Sequence, residues 1–334
     1  MNLPFAVRTA RWMVRDTFRQ SVHTKLFWVM LAVTAVATAV CASVEVRGDM
    51  RSTASDVYEV PAYLPKAEAE KLGEAAKADG VRVATGEVSV GFGLVTFPVG
   101  KSREDAVRFV QLWLAGLLAD TAGVLLALLW TAGFLPTFLE PQAATVLLAK
   151  PAPRWAVLGG KYVGVVLFVF LQAILFVGGT WAALGLRTGV WTAGYWTAVP
   201  LLVTNFAVFY AVSAFLAVWT RSTVACVFGT LLFWLLCWAV NFTHLRLGLH
   251  PIEAISPLSQ TLLDVAYWVL PKPLDFGGIF FEAMGASGYS VPVPELQAAR
   301  DKGLLRPELS VLSSATFAAA TLGLAAYEFA ATDY

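Results

Sequence analysis

The chain has 334 residues, of which 58% are hydrophobic and 14% charged, against roughly 25% charged in an ordinary soluble domain. Lysine plus arginine (24) nearly balances aspartate plus glutamate (23), so no bulk charge points to nucleic acid or to an acidic substrate. Cys41, Cys226 and Cys237 all lie in apolar runs, with no CxxC and no cysteine–histidine cluster. That excludes a zinc site or a disulfide framework and reads them as buried small hydrophobes.

In chain order, residues 1–25 form a basic leader. On a helix Arg8, Arg11, Arg15 and Arg19 share one face, and Leu3, Val7, Ala10, Val14 and Phe18 the other. Such a helix can lie in the headgroup layer, its arginines toward anionic lipid, and it also serves as a topology signal. A leader of about 25 residues is too long for a cleaved signal peptide. Six runs then reach the ~20 apolar residues needed to span a bilayer: Leu26–Val44, Phe109–Leu139, Tyr162–Leu186, Trp191–Trp219, Thr223–Phe242 and Leu309–Tyr327. The expected fold is therefore an all-α integral membrane protein with six transmembrane helices.

The first polar segment, 45–108, reads as a small α/β insertion. Leu64–Asp79 has helical spacing, and Val81–Val90 with Phe92–Val99 reads as a β-hairpin around Gly91 and Gly93. The second, 243–308, opens with a short interfacial helix over Pro257–Leu270, stopped by Pro271 and Pro273 and followed by a Gly/Pro-rich stretch. The leader, Lys150, Arg154, Lys161 and Arg221 place nine positive charges on one side if the spans alternate, whereas the opposite short loop carries Arg187 alone. Both termini are thus expected in the cytoplasm and both long polar segments outside it.

Motifs for chemistry are scarce. Gly100-Lys101-Ser102 imitates the end of a P-loop, but the position needing the first glycine is Val95, and Gly93 is two residues off register. His23, His244 and His250 lie outside the six expected spans, beside no obvious nucleophile, and neither HExxH nor GxSxG occurs. No catalytic residue, metal ligand or cofactor is expected. Asp120 is the only carboxylate well inside an expected span; it either lines a substrate path or sits hydrated near the outer interface. Gln172 and Asn205 read as interhelical hydrogen-bonding residues.

The most informative stretch lies between the second and third spans, at 140–161. Pro141 suits a first helical turn with Glu140 at its positive end, Ala143–Lys150 makes two turns, and Pro151 stops them. A compact helix held between two spans could pass force from a soluble partner or be a structured turn without one.

Phe138–Tyr162, with its Leu139-Glu140-Pro141, Leu147-Leu148-Ala149-Lys150-Pro151, Arg154-Trp155 and Gly160-Lys161-Tyr162, resembles permease subunits of type-2 ABC transporters. It looks closest to the branch containing the permease of the nitrous-oxide reductase maturation system. The likeness extends in layout to the basic leader, the six spans and the turn Gly185-Leu186-Arg187-Thr188-Gly189. It implies a second permease subunit and cytoplasmic ATPase subunits as partners. It also implies a coupling helix docking on the ATPase through Glu140, Pro141, Leu147, Leu148, Lys150, Pro151 and Arg154, and an interfacial N-terminal helix. The large 45–108 insertion and a tail at Glu328–Tyr334 without basic residues depart from the family pattern.

The resulting expectation is a multi-pass permease of an ATP-driven exporter in a bacterial inner membrane, with ATP hydrolysed by another chain. Two alternatives stand beside it. One is an ion-driven secondary transporter, which would favour inverted repeats and midplane charges. The other is a non-transporting membrane anchor or assembly factor that uses the outer insertion.

Overall fold

The computed structural model describes residues 3–48, 57–58, 71, 74, 82–83, 86–99, 103–139, 153–249, 256–286 and 306–331. Eleven α-helices are described: α1 Leu3–His23, α2 Lys25–Ser43, α3 Arg103–Trp113, α4 Gly123–Thr131, α5 Phe134–Phe138, α6 Arg154–Thr188, α7 Ala198–Thr220, α8 Thr223–Leu249, α9 Pro257–Val269, α10 Pro273–Ala283 and α11 Pro307–Ala331. By length and composition α6, the stretch Ala193–Thr220 containing α7, α8 and α11 can each cross a bilayer. The α1–α2 pair, bent by 71°, makes a fifth when taken as one. Phe228, Leu232, Leu235 and Leu236 on α8 and Leu312 and Leu324 on α11 face outward, an apolar exterior larger than a water-soluble surface carries.

The expected second span, Phe109–Leu139, is corrected. A continuous helical path starts earlier, at Arg103, passes through a π-helical stretch Leu114–Ala122, and ends at Thr131. A turn at Ala132–Gly133 separates it from α5. The third expected span starts two turns earlier than its apolar run, so Arg154 and Lys161 belong to α6. Gly189, at φ 74°, closes α6 in a left-handed conformation, its N–H donating to Gly185 O at 2.8 Å. A two-residue turn, Arg221–Ser222, joins α7 to α8 as an antiparallel pair. Proline acts twice as a helix starter rather than a stop. Ser256 caps α9 before Pro257, its Oγ accepting from Ser259 N at 3.2 Å, and Pro273 opens α10, where a Gly/Pro-rich loop is expected from the sequence.

At the far end of α2 a sheet is ordered β1-β4-β5, formed by β1 Glu45–Gly48, β4 Gly86–Val90 and β5 Val95–Val99. The hairpin expected around Gly91 and Gly93 is β4–β5, antiparallel, with Val90 opposite Val95. Gly91, Phe92 and Gly93 take φ of 71°, 57° and 99° in its turn. Strand β1, absent from the sequence expectation, pairs antiparallel with β4. A two-residue parallel pair, β2 Val57–Tyr58 and β3 Arg82–Val83, completes the strands described. The helix expected at Leu64–Asp79 falls outside the described residues apart from Lys71 and Glu74, both helical.

The principal core joins α4 and α5 to α6, α7, α8 and α11 through Leu128, Trp130, Leu135, Phe168, Phe206, Phe209, Tyr210 and Phe329. A second cluster holds α10 against α6 and α7 through Phe280, Met284, Val177 and Tyr195. A third seats the sheet on α2, α3 and α6 through Cys41, Val46, Val88, Val107 and Leu184. All three cysteines are free and buried.

Candidate functional site

Two polar constellations lie at opposite ends of the bundle. The first surrounds the two ends of segment 140–152, itself outside the described residues together with Glu140, Pro141, Leu147, Leu148, Lys150 and Pro151. Before the segment, Leu139 is 2% exposed, its N–H donating to Leu135 O at 3.0 Å. After it, Arg154 Nη1 donates to Phe329 O at 3.3 Å and Ala330 O at 3.2 Å. These are among the last carbonyls of α11, where helical acceptors lack partners and a cation is favoured. Arg154, a residue for partner contact by resemblance, is thus committed to the terminus of α11.

Between these ends α1 lies on the first half of α6. A Cβ on Gly160 would meet Ala10 Cα at 2.8 Å, and one on Gly164 would meet Thr17 Cβ at 2.9 Å. Only glycine permits so close an approach at these two positions. The face of α1 that packs is therefore Ala6, Met13, Thr17 and Ser21, all buried. The expected apolar face shares in this packing, since Ala10 and Val14 meet Gly160 and Gly164 and Phe18 packs edge-on against Phe168, whereas Val7 is 63% exposed. Arg8, Arg11, Arg15 and Arg19 are all exposed on the side away from α6.

Lys161, read from sequence as a loop charge, is 1% exposed. Its Nζ donates to Asp16 Oδ2 at 2.9 Å and Gln20 Oε1 at 2.8 Å and lies 5.3 Å from the centre of the Phe138 ring. One amine therefore ties α1 and α6 to the last residue of α5. The pair is asymmetric, since the Asp16 side chain is 47% exposed. Asp16→Ala strands a buried cation and is expected to cost about 1–3 kcal/mol. Lys161→Met leaves a hydrated carboxylate and is expected to cost less. Paired thermal-unfolding midpoints in one detergent check the order.

Tyr162 follows, its hydroxyl donating to Ala207 O at 2.7 Å and its ring stacked 5.5 Å from Tyr210. Gln172 Nε2 donates to Thr34 Oγ1 at 2.9 Å between α6 and α2, the interhelical role expected of it. Asn205 is buried on α7. Asp120 falls in the π-helical stretch, and its side chain lies outside what is described. π-Helical insertions recur at functional positions.

The second constellation escaped the sequence reading. Asp275, in the first turn of α10, is 2% exposed. Its Oδ1 accepts from Asn241 Nδ2 of α8 at 3.1 Å, and its Oδ2 accepts from Tyr267 Oη of α9 at 2.9 Å and from Ser310 Oγ of α11. The Asn241 amide orientation is fixed, because its Oδ1 accepts from Leu274 N at 3.0 Å. Lys272 is 1% exposed. Its Nζ donates to Ser313 Oγ at 2.6 Å and lies 4.8 Å and 5.2 Å from the Tyr267 and Trp268 ring centres. Burial pushes this amine below the ordinary lysine range, and the Asp275 carboxylate opposes that shift. Tyr267 is pushed up by its own burial and by Asp275. His244 stacks on Tyr267 at 3.8 Å and reaches Asp264 Oδ1 at 3.3 Å. One carboxylate thus gathers hydrogen bonds from α8, α9 and α11 at the start of α10.

Among the described residues no group of three or more His, Cys, Asp or Glu could hold a metal ion. No protein-family model matches the sequence, and comparison with curated proteins returns no match.

Proposed function

We propose that this chain is a transmembrane permease subunit of an ATP-driven ABC transporter of the exporter type, coupled to separate cytoplasmic ATPase subunits and to a second permease subunit. The reading takes six helical passages through a bacterial inner membrane: α2, the Arg103–Thr131 path, α6, α7, α8 and α11. The positive charges at 8–25, 150–161 and 221 support reading the end bearing segment 140–152, and both termini, as cytoplasmic.

The observation that carries the proposal is how the residues on either side of segment 140–152 are held. Its sequence resembles a coupling loop, and it is flanked by a buried leucine at the foot of α5 and by Arg154 at the head of a 35-residue helix. Lys161 links that helix to α1 and to Phe138. A displacement delivered at Leu139 and Arg154 would pass through these contacts to α1, α6 and α11. ATP-driven closure of partner subunits would move this loop and tilt the helices joined to it.

The test is a mild-detergent pull-down of tagged wild type beside a Glu140→Arg, Leu147→Asp double variant from cells holding the natural partners. The expected result is ATPase activity that co-purifies with wild type and is lost from a variant with unchanged helical content. Equal absence of ATPase from both would overturn the proposal. The ion-driven alternative draws on one specific observation, the buried Asp275–Lys272 group. Transport that survives ATP depletion would favour it.

A further inference from the structure

At the α1–α2 elbow lies a cavity of about 300 Å³, lined by Gln20, Thr24, Lys25, Trp130, Phe134 and Thr137 among others. That volume is at the small end of ligand sites. Trp130 Nε1 donates to Thr24 Oγ1 at 3.1 Å, so the aromatic wall is fixed and Thr24 is committed. Three donors remain. The Lys25 ammonium is exposed, with no ion pair among the described residues. Gln20 accepts from Lys161 through its oxygen, leaving its amide nitrogen uncommitted. Thr137 is exposed, and its hydroxyl has no partner among the described residues. Among the described residues no acidic side chain lines the cavity. Helix α2 starts at this elbow without a side-chain cap at Thr24.

Uncommitted donors and a lysine, with no carboxylate among the described lining residues, form a phosphate-binding set. The surroundings identify which phosphate. Trp28 and Val29, one turn into α2, are 58% and 53% exposed, and Leu126 and Leu129 of α4 also face outward. Arg19, one turn before the end of α1, is exposed beside the elbow. Apolar flanks below a basic rim match a molecule with a phosphate head and hydrocarbon tails.

We infer that the elbow cavity is a binding site for the head group of an anionic phospholipid, with Lys25, Gln20 and Thr137 donating to its phosphate and the tails lying along α2 and α4. This rests on these helices lying in a bilayer, and it does not depend on an ATPase partner.

The experiment is native mass spectrometry of the full chain, released from nanodiscs of phosphatidylcholine with and without phosphatidylglycerol, together with thermal-unfolding midpoints. Wild type is expected to retain phosphatidylglycerol and to gain stability from it. Lys25→Gln with Thr137→Val is expected to lower retention at least about fivefold, and Lys25→Arg to keep it. Arg8→Gln with Arg11→Gln, remote from the cavity, is expected to leave retention nearly intact. Equal losses in the two double variants would reduce the effect to diffuse attraction and overturn the site. Displacement of the lipid by inorganic phosphate at matched concentration would make it a free-anion site and overturn the lipid assignment. Because no readout involves ATP, failure here and failure of the transporter reading are separate results.

Discussion

Asp275→Ala is expected to destabilise the bundle by about 3–5 kcal/mol, the range for breaking a buried charge arrangement from one side. The substitution leaves Asn241 Nδ2, Tyr267 Oη and Ser310 Oγ without their acceptor, and Lys272 without the carboxylate that offsets its desolvation. Asp275→Asn separates the contributions. The new side chain can keep its oxygen on Asn241 Nδ2, which Leu274 N holds in place, while the two hydroxyls rotate to accept from its amide, so what is lost is the charge that offsets Lys272. The asparagine variant is therefore expected between wild type and alanine. Lys272→Met added to Asp275→Ala is expected to recover part of the loss, because it removes the uncompensated cation. Denaturant titration in micelles, read by near-ultraviolet circular dichroism, measures all three. An alanine variant within about 1 kcal/mol of wild type, an ordinary single-site effect, would show that the hub does not hold the fold.

The next largest effect is expected at Gly160. A side chain there meets Ala10 Cα at 2.8 Å and Ala10 O at 3.0 Å, and backbone has no rotamer with which to yield. Gly160→Leu must lift α1 from α6 and pull Asp16 and Gln20 away from Lys161, a loss of about 3 kcal/mol. The adjacent glycine is the control: at Gly159 an added Cβ meets nothing within 4 Å. Gly159→Leu is expected to stay within about 0.5 kcal/mol of wild type. Limited trypsin digestion checks the mechanism, since Arg8–Arg19 become cleavable only when α1 leaves α6. Equal resistance of the two variants would count against the packing argument.

The long helices were legible because twenty apolar residues without charge admit few other structures. The hairpin was legible because Gly91 and Gly93 break two valine-rich runs. Segment 45–108 hid β1, since four residues after an apolar helix carry no alternation long enough to detect. The far-end hub stayed hidden for a related reason. Pro271 and Pro273 read as punctuation, yet Pro273 opens α10 and places Asp275 in its first turn, a start signal the sequence did contain. Lys161 was misplaced because short-loop positive charge is an orientation signal, and nothing local announces that Asp16, in a different helix, will bury it. The packing face of α1 was legible only in part, because buried Thr17 and Ser21 share it with Ala10, Val14 and Phe18, and nothing local announces that α6 offers glycines to them.

Helix α6 runs unbroken for 35 residues, about 52 Å. Its glycines at 160, 164, 179 and 185 each sit against a neighbouring element, so they provide close approach and not hinges. The Arg103–Thr131 path beside it contains the π-helical stretch and ends in a turn. The two differ mechanically. One is a stiff strut that transmits tilt over its whole length, and the other can change its winding locally. A displacement entering both near segment 140–152 would arrive at the sheet undiminished along α6 but partly absorbed along its neighbour. The result is shear across the third core cluster, between Leu184 on the strut and Val107 on the yielding path.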